Sequence, residues 1–169
     1  AGTVRLGGLT LADEFDSDGA FSLFDGTLKV GGSEVVADKG LGSFEQFGGT
    51  HTICGNLTLS NDAAATGSFA LLGGTLIVGG NEVIGQYGTA AFVQAAGTHE
   101  VGETMLVGGK AGSFGMFSMA AGSLAVKQLR IGDDGEYGLM DIASEDAYLE
   151  VTKKLAFGEK AILSAVPGS

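Results

Sequence analysis

The feature that most constrains the fold of this chain is an internal repeat with a period of about 48 residues. The segment from Gly26 to Val36, GTLKVGGSEVV, recurs from Gly74 to Ile84 as GTLIVGGNEVI. Each repeat unit divides again into two slightly unequal halves, marked by Phe21, Phe44, Phe69, Phe92, Phe117 and then Met140. A repeat of this length is typical of solenoids, in which each unit stacks on its neighbours.

Each half-unit contains short apolar alternations of strand length. Phe69-x-Leu71 and Leu76-x-Val78 alternate with period two, and glycine pairs separate such segments. No segment has helical periodicity over about ten residues or more. We therefore predict an all-β single domain over residues 1–169. Its architecture is a three-sided parallel β-helix, or β-solenoid, of about seven coils of ~24 residues in a 48-residue double repeat.

The alternation also assigns side chains to the inside or the outside of the coils. Leu28 and Val30 are expected to point inward, which makes Thr27 and Lys29 outward. Equivalent residues of stacked coils lie above one another, so the phenylalanines form an interior column and the threonines form a ladder on one outer face.

Each half-unit has two inward positions that are both leucine or methionine in one half-unit and both polar in the next. The polar pairs are Gln46 with His51 and, one repeat later, Gln94 with His99. A buried amide or imidazole without a hydrogen bond costs about 1–3 kcal/mol. We therefore predict that each Gln and His bond each other, or a corner carbonyl, within one coil.

Charge excludes several classes of function. The chain has 20 acidic and nine basic residues and a net charge of −11, which repels phosphate backbones and anionic membranes. We expect no nucleic-acid partner. No apolar run reaches the roughly 18 residues of a membrane span, so we expect no membrane insertion.

The strongest local motif is the acidic loop 13–19, DEFDSDG. Its Glu14, Asp16 and Asp18 alternate before a turn glycine, as ligands do in calcium loops. However, the first position is normally Asp, and the flanking helices of such loops are missing. A solvated loop is the favoured interpretation, and a calcium site at these three carboxylates is the alternative. We predict no other cofactor.

The repeats resemble the tandem β-solenoid repeats of bacterial exported proteins, notably exoproteins with PEP-CTERM sorting signals and autotransporter-like passengers. Such repeats read roughly G-x-F-x-Q-x-G-G-T-x-x-V followed by G-x-x-x-L-x-G-G-x-L-x-V, and the resemblance covers about residues 20–132. It implies secretion, an extracellular or cell-surface location and a structural, matrix or adhesive role without catalytic residues. The C-terminal AVPGS differs from the family because it is not a sorting signal.

Parallel β-helices also occur as enzymes and as ice-binding proteins. A polysaccharide lyase or hydrolase needs clustered carboxylates, and a lyase usually needs a basic residue nearby. The arginines are Arg5 and Arg130 alone, so we predict no enzyme. Ice binding needs flat Thr-x-Thr arrays, and Thr50-x-Thr52 supplies that pair once. Carbohydrate binding remains an alternative, although no outward aromatic platform is evident.

The two ends of the chain differ. Charged residues fill residues 143–169 while the glycine rhythm fails, and we interpret this segment as a degenerate C-terminal cap. The N-terminal segment enters in phase with the repeat, since Leu9-x-Leu11 matches Leu57-x-Leu59 one full repeat later. An unprotected strand edge tends to pair with another strand. We therefore expect the N-terminal edge to pair with preceding coils of a longer parent chain or with another subunit, as in a self-associating structural or adhesive module.

Overall fold

The computed structural model describes residues 2–133 and 137–166, and residues 1, 134–136 and 167–169 lie outside this description. The described part contains 18 strands and no helix. It follows that none of its segments is an apolar helix long enough to cross a membrane.

The strands wind into seven coils with three faces, and all pairing between coils is parallel. The first face holds β1 (Thr3–Leu6), β4 (Thr27–Val30), β7 (Thr50–Ile53), β10 (Thr75–Val78) and the first parts of β13 (Thr98–Val107), β15 (Gly122–Ile131) and β17 (Ala147–Phe157). The second face holds β2 (Leu9–Leu11), β5 (Glu34–Val36), β8 (Leu57–Leu59), β11 (Glu82–Ile84) and the second parts of β13, β15 and β17. The third face holds β3 (Asp18–Leu23), β6 (Leu41–Gln46), β9 (Thr66–Leu71), β12 (Thr89–Gln94), β14 (Phe114–Met119), β16 (Tyr137–Ile142) and β18 (Lys160–Ala165).

Equivalent residues of successive coils lie opposite each other, as the repeat predicts. Thr27 pairs with Thr50, Thr50 with Thr75, and Thr75 with Thr98. The predicted β-solenoid of about seven coils, spaced by about 24 residues, is confirmed. Leu28 and Val30 are fully buried, so the predicted inward side of the first face is correct as well.

The phenylalanines form the predicted interior column on the third face. The ring centroids of Phe44 and Phe69 are 4.7 Å apart with an interplanar angle of 3°, and those of Phe69 and Phe92 are 4.8 Å apart. Phe21 and Phe117 extend the column at 5.1 and 5.2 Å. In-register stacking brings identical rings to the spacing of adjacent strands, where most pack in parallel, and only the Phe117 ring is tilted, by 32° against Phe92.

A glycine precedes the first strand of most coils because the corner there has a left-handed backbone. Gly74 has a φ of +81°, and a Cβ at this position would lie 2.3 Å from the carbonyl oxygen of Gly49 in the preceding coil. A side chain would therefore meet both backbone strain and a clash. These glycines form a ladder of their own along one edge of the rod.

The segment predicted to be a C-terminal cap contains a seventh coil. Strand β17 pairs with β15 over both faces, with a bulge between Val126 and Gln128, and β18 pairs with β16. Residues 167–169 of this segment lie outside the described part. In the described part nothing pairs with the outer edges of β17 and β18. Charged side chains lie on this coil, and its described backbone continues the repeat. None of the described residues covers the outer end of the coil, and the cap stays a prediction.

Candidate functional site

Glu14, Asp16 and Asp18 lie in and beside the loop that joins β2 to β3. The amide and the hydroxyl of Ser17 both donate to the Glu14 carbonyl, at 3.3 and 2.6 Å, and Asp16 has a φ of 60°. In the described part of the chain, no three His, Cys, Asp or Glu residues are grouped so that they could hold a metal ion. The structure gives the calcium site no support, and calcium binding stays a prediction.

Each buried histidine is paired with a buried glutamate. His51 Nε2 lies 2.9 Å from Glu34 Oε2, and His99 Nε2 lies 2.7 Å from Glu82 Oε2. All four side chains have 0% exposure. In both pairs the glutamate belongs to the coil before the histidine, 17 residues earlier in the chain. The predicted Gln–His pairing within a coil is therefore wrong.

The two buried glutamines bond backbone carbonyls. In each case one acceptor is the corner carbonyl of a glycine three residues later, and the other lies 29 residues ahead. Gln46 Nε2 donates to the carbonyls of Gly49 (3.4 Å) and Thr75 (3.0 Å), and Gln94 Nε2 to those of Gly97 (3.2 Å) and Ser123 (3.0 Å). The predicted alternative, a corner carbonyl, is thus correct for the glutamines.

The repeat did contain a signal for the glutamates. Glu34 and Glu82 are one full repeat apart, as are the two histidines. Val36 is inward, so the period of a strand makes Glu34 inward too. Because buried charges are almost always paired, an inward glutamate calls for a partner of its own. The identity of that partner does not follow from the alternation within one strand, because the glutamate and the histidine are 17 residues apart and lie on different faces.

The buried pairs are closed to any substrate. The His51 ring stacks on Phe44 at 4.7 Å between centroids and lies 6.2 Å from Phe69. Glu34 Oε1 and His51 Nδ1 have no hydrogen-bond partner among the described residues. A general acid or base must come within hydrogen-bond reach of the reacting group. With 0% exposure these side chains can stabilise and specify the core, but they cannot contact a molecule outside it.

The outer side of the first face carries the predicted threonine ladder and a mixed column beside it. The second column runs through Arg5, Lys29, Thr52, Ile77, Glu100, Ala125 and Glu150. Among the described residues of this face, only one coil therefore offers a Thr-x-Thr pair. The column begins with two basic residues and ends with an acidic one.

An exposed aromatic pair lies at the corner that follows the third face. The rings of Phe24 and Phe47 stack at 4.9 Å with an interplanar angle of 6°, and the side chains are 71% and 43% exposed. The expectation that no outward aromatic platform exists is therefore wrong. Leu72 and Ala95 occupy the same corner in the next two coils. Their amides donate to the carbonyls of Gln46 and Leu71, as the Phe47 amide donates to the carbonyl of Leu23. The pair is thus confined to the first two coils, and one face of Phe24 is left open toward the N-terminal end.

The N-terminal end of the rod has an open edge. Strands β1, β2 and β3 pair only with β4, β5 and β6, respectively, within the described part. Val4 is 51% exposed, whereas its register partner Leu28 is fully buried. We call the inward residues of this coil the N-terminal end face: Val4, Leu6, Leu9, Leu11 and Phe21.

Among the residues that the structure describes, the C-terminal edge is unpaired in the same way. Leu155 is 42% exposed although Leu129, its partner in the preceding coil, is fully buried. We call the inward residues of the last coil the C-terminal end face: Leu149, Val151, Leu155, Phe157 and Leu163.

Protein-family models, curated proteins and solved structures give no match to this chain. The likeness to exported bacterial repeat proteins therefore depends on the repeat pattern alone and stays a prediction.

The two end faces are the surfaces on which local structure is incomplete. Along the middle of the rod each coil is covered by a coil above and a coil below, which satisfies backbone groups and buries apolar columns. At the two ends of the described part, the coil has a neighbour on one side only. Unpaired strand edges combined with exposed apolar side chains are the usual features of a site for strand addition.

Proposed function

We propose that this chain is a non-catalytic structural or adhesive β-solenoid module of the extracellular space or cell surface, which self-associates or continues a longer rod through its N-terminal edge. The observation that carries the proposal is the open first coil, in which an inward column that is fully buried from Leu28 to Leu124 is half exposed at Val4. The location is supported by the resemblance of the repeats to exported proteins.

The direction of the backbone amides identifies which N–H groups of β1 point toward the open edge. The amide of Thr27 donates to the Gly2 carbonyl at 2.9 Å, and the amide of Thr50 donates to the Gly26 carbonyl at 2.8 Å. Thr3 is the equivalent residue in the first coil, so its amide faces the open edge. Backbone groups alternate in direction along a strand. Arg5 therefore faces the edge as well, and Val4 faces β4.

Proline at Arg5 tests the proposal because it removes an edge amide and no hydrogen bond within the rod. We expect the wild-type chain to form assemblies in multi-angle light scattering, and Arg5→Pro to reduce them strongly. Arg5→Ala removes the same side chain but keeps the amide, so it separates the two contributions.

Val4→Pro is the matched contrast. Its amide faces β4, and we expect this variant to lower the stability of the first coil. A wild-type chain that stays monomeric at all concentrations, or assemblies unaffected by Arg5→Pro, would contradict self-association through this edge. Secretion is tested separately, by detecting the chain outside the cells that produce it.

Carbohydrate binding is the second candidate, and the exposed Phe24–Phe47 pair favours it. Aromatic rings often pack on the apolar faces of sugars. The experiment is binding to a panel of surface polysaccharides by the wild type and by Phe24→Ala, with assembly measured in parallel. Loss of binding without loss of assembly would support this candidate, and the absence of binding would reject it.

A further inference from the structure

Building on the proposed self-association, we propose that the partner at the N-terminal edge is the C-terminal edge of a second copy. The copies stack head to tail, so that the seventh coil of one continues into the first coil of the next. Three properties of the two end faces support this arrangement: strand direction, the apolar columns and the charges of the outer columns.

Strand direction favours a head-to-tail junction. Every pairing within the rod is parallel, and stacking the last coil on the first continues the same parallel ladder. The amide of Thr3 then meets the carbonyl of Ala147, which occupies the register position of Gly122 and hence of the ladder glycines. Joining two N-terminal ends would require antiparallel pairing, which occurs nowhere in the described part.

The apolar columns also continue across the junction. Following the register from coil to coil, Val4 is equivalent to Leu149, and Leu9 to Leu155. Each exposed inward residue of one end face thus meets an apolar residue of the other. At the corner, Val166 would cover the open face of Phe24. Val166 occupies the equivalent corner position in the last coil, because its amide donates to the Ile142 carbonyl just as the Phe47 amide donates to the Leu23 carbonyl.

The outer columns carry opposite charges at their two ends. On the first face the column that starts with Arg5 ends with Glu150. On the third face the column that starts with Asp18 ends with Lys160. Head-to-tail stacking therefore places an acidic residue beside a basic one at both positions.

The charge at the N-terminal end is also unbalanced within its own chain. Arg5 is exposed next to Lys29 in the register and has no ion pair among the described residues. An acidic neighbour on its open side relieves this repulsion. Because each copy has a net charge of −11, two copies repel each other in general, and specific pairs at the junction decide which ends meet.

A head-to-tail junction joins two different surfaces, so its repetition from copy to copy gives either a closed ring or an open linear assembly. Straight stacking along the rod axis gives a linear filament. The expected product is thus a filament whose axis is the axis of the solenoid, with a repeat of about 34 Å for seven coils.

Charge reversal tests the register directly. Arg5→Glu brings two carboxylates together at the junction, and Glu150→Arg brings two guanidinium groups together, so we expect each variant alone to assemble about three- to tenfold more weakly. In an equal mixture of the two variants, each junction between unlike variants joins either the two reversed ends or the two unchanged ends, and both combinations have opposite charges. We therefore expect the mixture to assemble more strongly than either variant alone, and the double variant R5E/E150R to recover assembly in full.

Glu100→Arg is the matched control for Glu150→Arg. It makes the same charge change in the same outer column but lies in the middle of the rod. We expect it to leave assembly close to that of the wild type. The measurement is sedimentation velocity at about 0.15 M salt, where charges within about 8 Å still interact. Circular dichroism checks that each variant is folded.

The outcomes separate this proposal from the proposed function. If the wild type never assembles, self-association itself fails. If it assembles but Glu150→Arg has no effect, or if the double variant shows no recovery, the head-to-tail register is wrong while self-association stands. Assemblies that stop at dimers would indicate a head-to-head junction and would also overturn the proposal.

Chain termination provides an independent test. Arg5→Pro blocks the N-terminal edge but leaves the C-terminal edge intact, so one such molecule can end a filament without starting a new junction. We expect small amounts of this variant, labelled at the exposed Cys54, to shorten wild-type filaments and to lie at one end of each in electron micrographs. Filaments of unchanged length would contradict head-to-tail growth.

Discussion

Breaking the buried Glu82–His99 pair is the most direct test of how this core is held together. Glu82→Leu leaves an imidazole at 0% exposure without its partner, and His99→Leu does the same to a carboxylate. Removing one member of a buried charged pair costs about 3–5 kcal/mol. If the pair is neutral, the loss of one buried partner costs about 1–3 kcal/mol.

The double variant should be much milder because the neighbouring coils carry leucine or methionine at the two equivalent positions. His99 lies between Leu76 and Leu124 in its column, and Glu82 lies between Leu57 and Met105. Replacing a whole buried pair by apolar residues of similar volume is often neutral or stabilising. We therefore expect a coupling free energy of at least about 2 kcal/mol between the two substitutions.

The assay is urea unfolding followed by circular dichroism, carried out in the Arg5→Pro background so that assembly does not contribute to stability. The matched control is the double variant E34L/H99L, which joins residues of different pairs about three coils, or 14 Å, apart. Its effects should add. Additive effects of E82L and H99L would refute the pairing of glutamate with histidine across coils.

Three further predictions concern the corners and the surface. Gly74→Ala should destabilise the chain by clearly more than Gly112→Ala, measured by urea unfolding, since both have positive φ (+81° and +87°) but only Gly74 meets a backbone atom within 4 Å. The hydrogen bond from Lys127 lowers the pKa of Glu103, so NMR titration of Lys127→Met should show that pKa rising toward its ordinary value. Because the folded pKa is lowered, this contribution to stability is present at neutral pH and is lost as the pH falls through it. For the acidic loop 13–19, calorimetric titration with calcium should show saturable binding if the alternative is right.

The sequence pattern was sufficient for the fold because in-register stacking turns a linear repeat into a spatial one. Once Phe44, Phe69 and Phe92 are known to recur at nearly constant intervals, each must lie above the last, and strand alternation then separates inside from outside. The same logic predicts that the two glutamines and the two histidines lie in the core. It did not find the glutamates, which precede the histidines by most of a coil and contact them from a different face.

The ends were harder to predict than the middle. The glycine corners become irregular after about residue 132, and charges at Lys153, Lys154 and Glu159 suggested a cap. The backbone nevertheless continues with a bulge at the corner of β17, and β13 and β15 already turn this corner without a glycine pair. A bulge absorbs one extra residue without breaking the ladder, and it leaves no mark in composition.

The buried pairs explain why the repeat spans two coils and not one. Stacked coils place identical positions about 4.8 Å apart, so a single-coil repeat with glutamate and histidine in every coil would stack carboxylates on carboxylates inside the core. Alternation avoids this: Glu34 has Leu9 and Leu57 as its column neighbours, and its partner comes from the next coil. Two coils are therefore the shortest period that can hold such a pair. The last two coils carry Leu129 and Leu155 at the glutamate position and Leu124 and Leu149 at the histidine position, and there the double period ends.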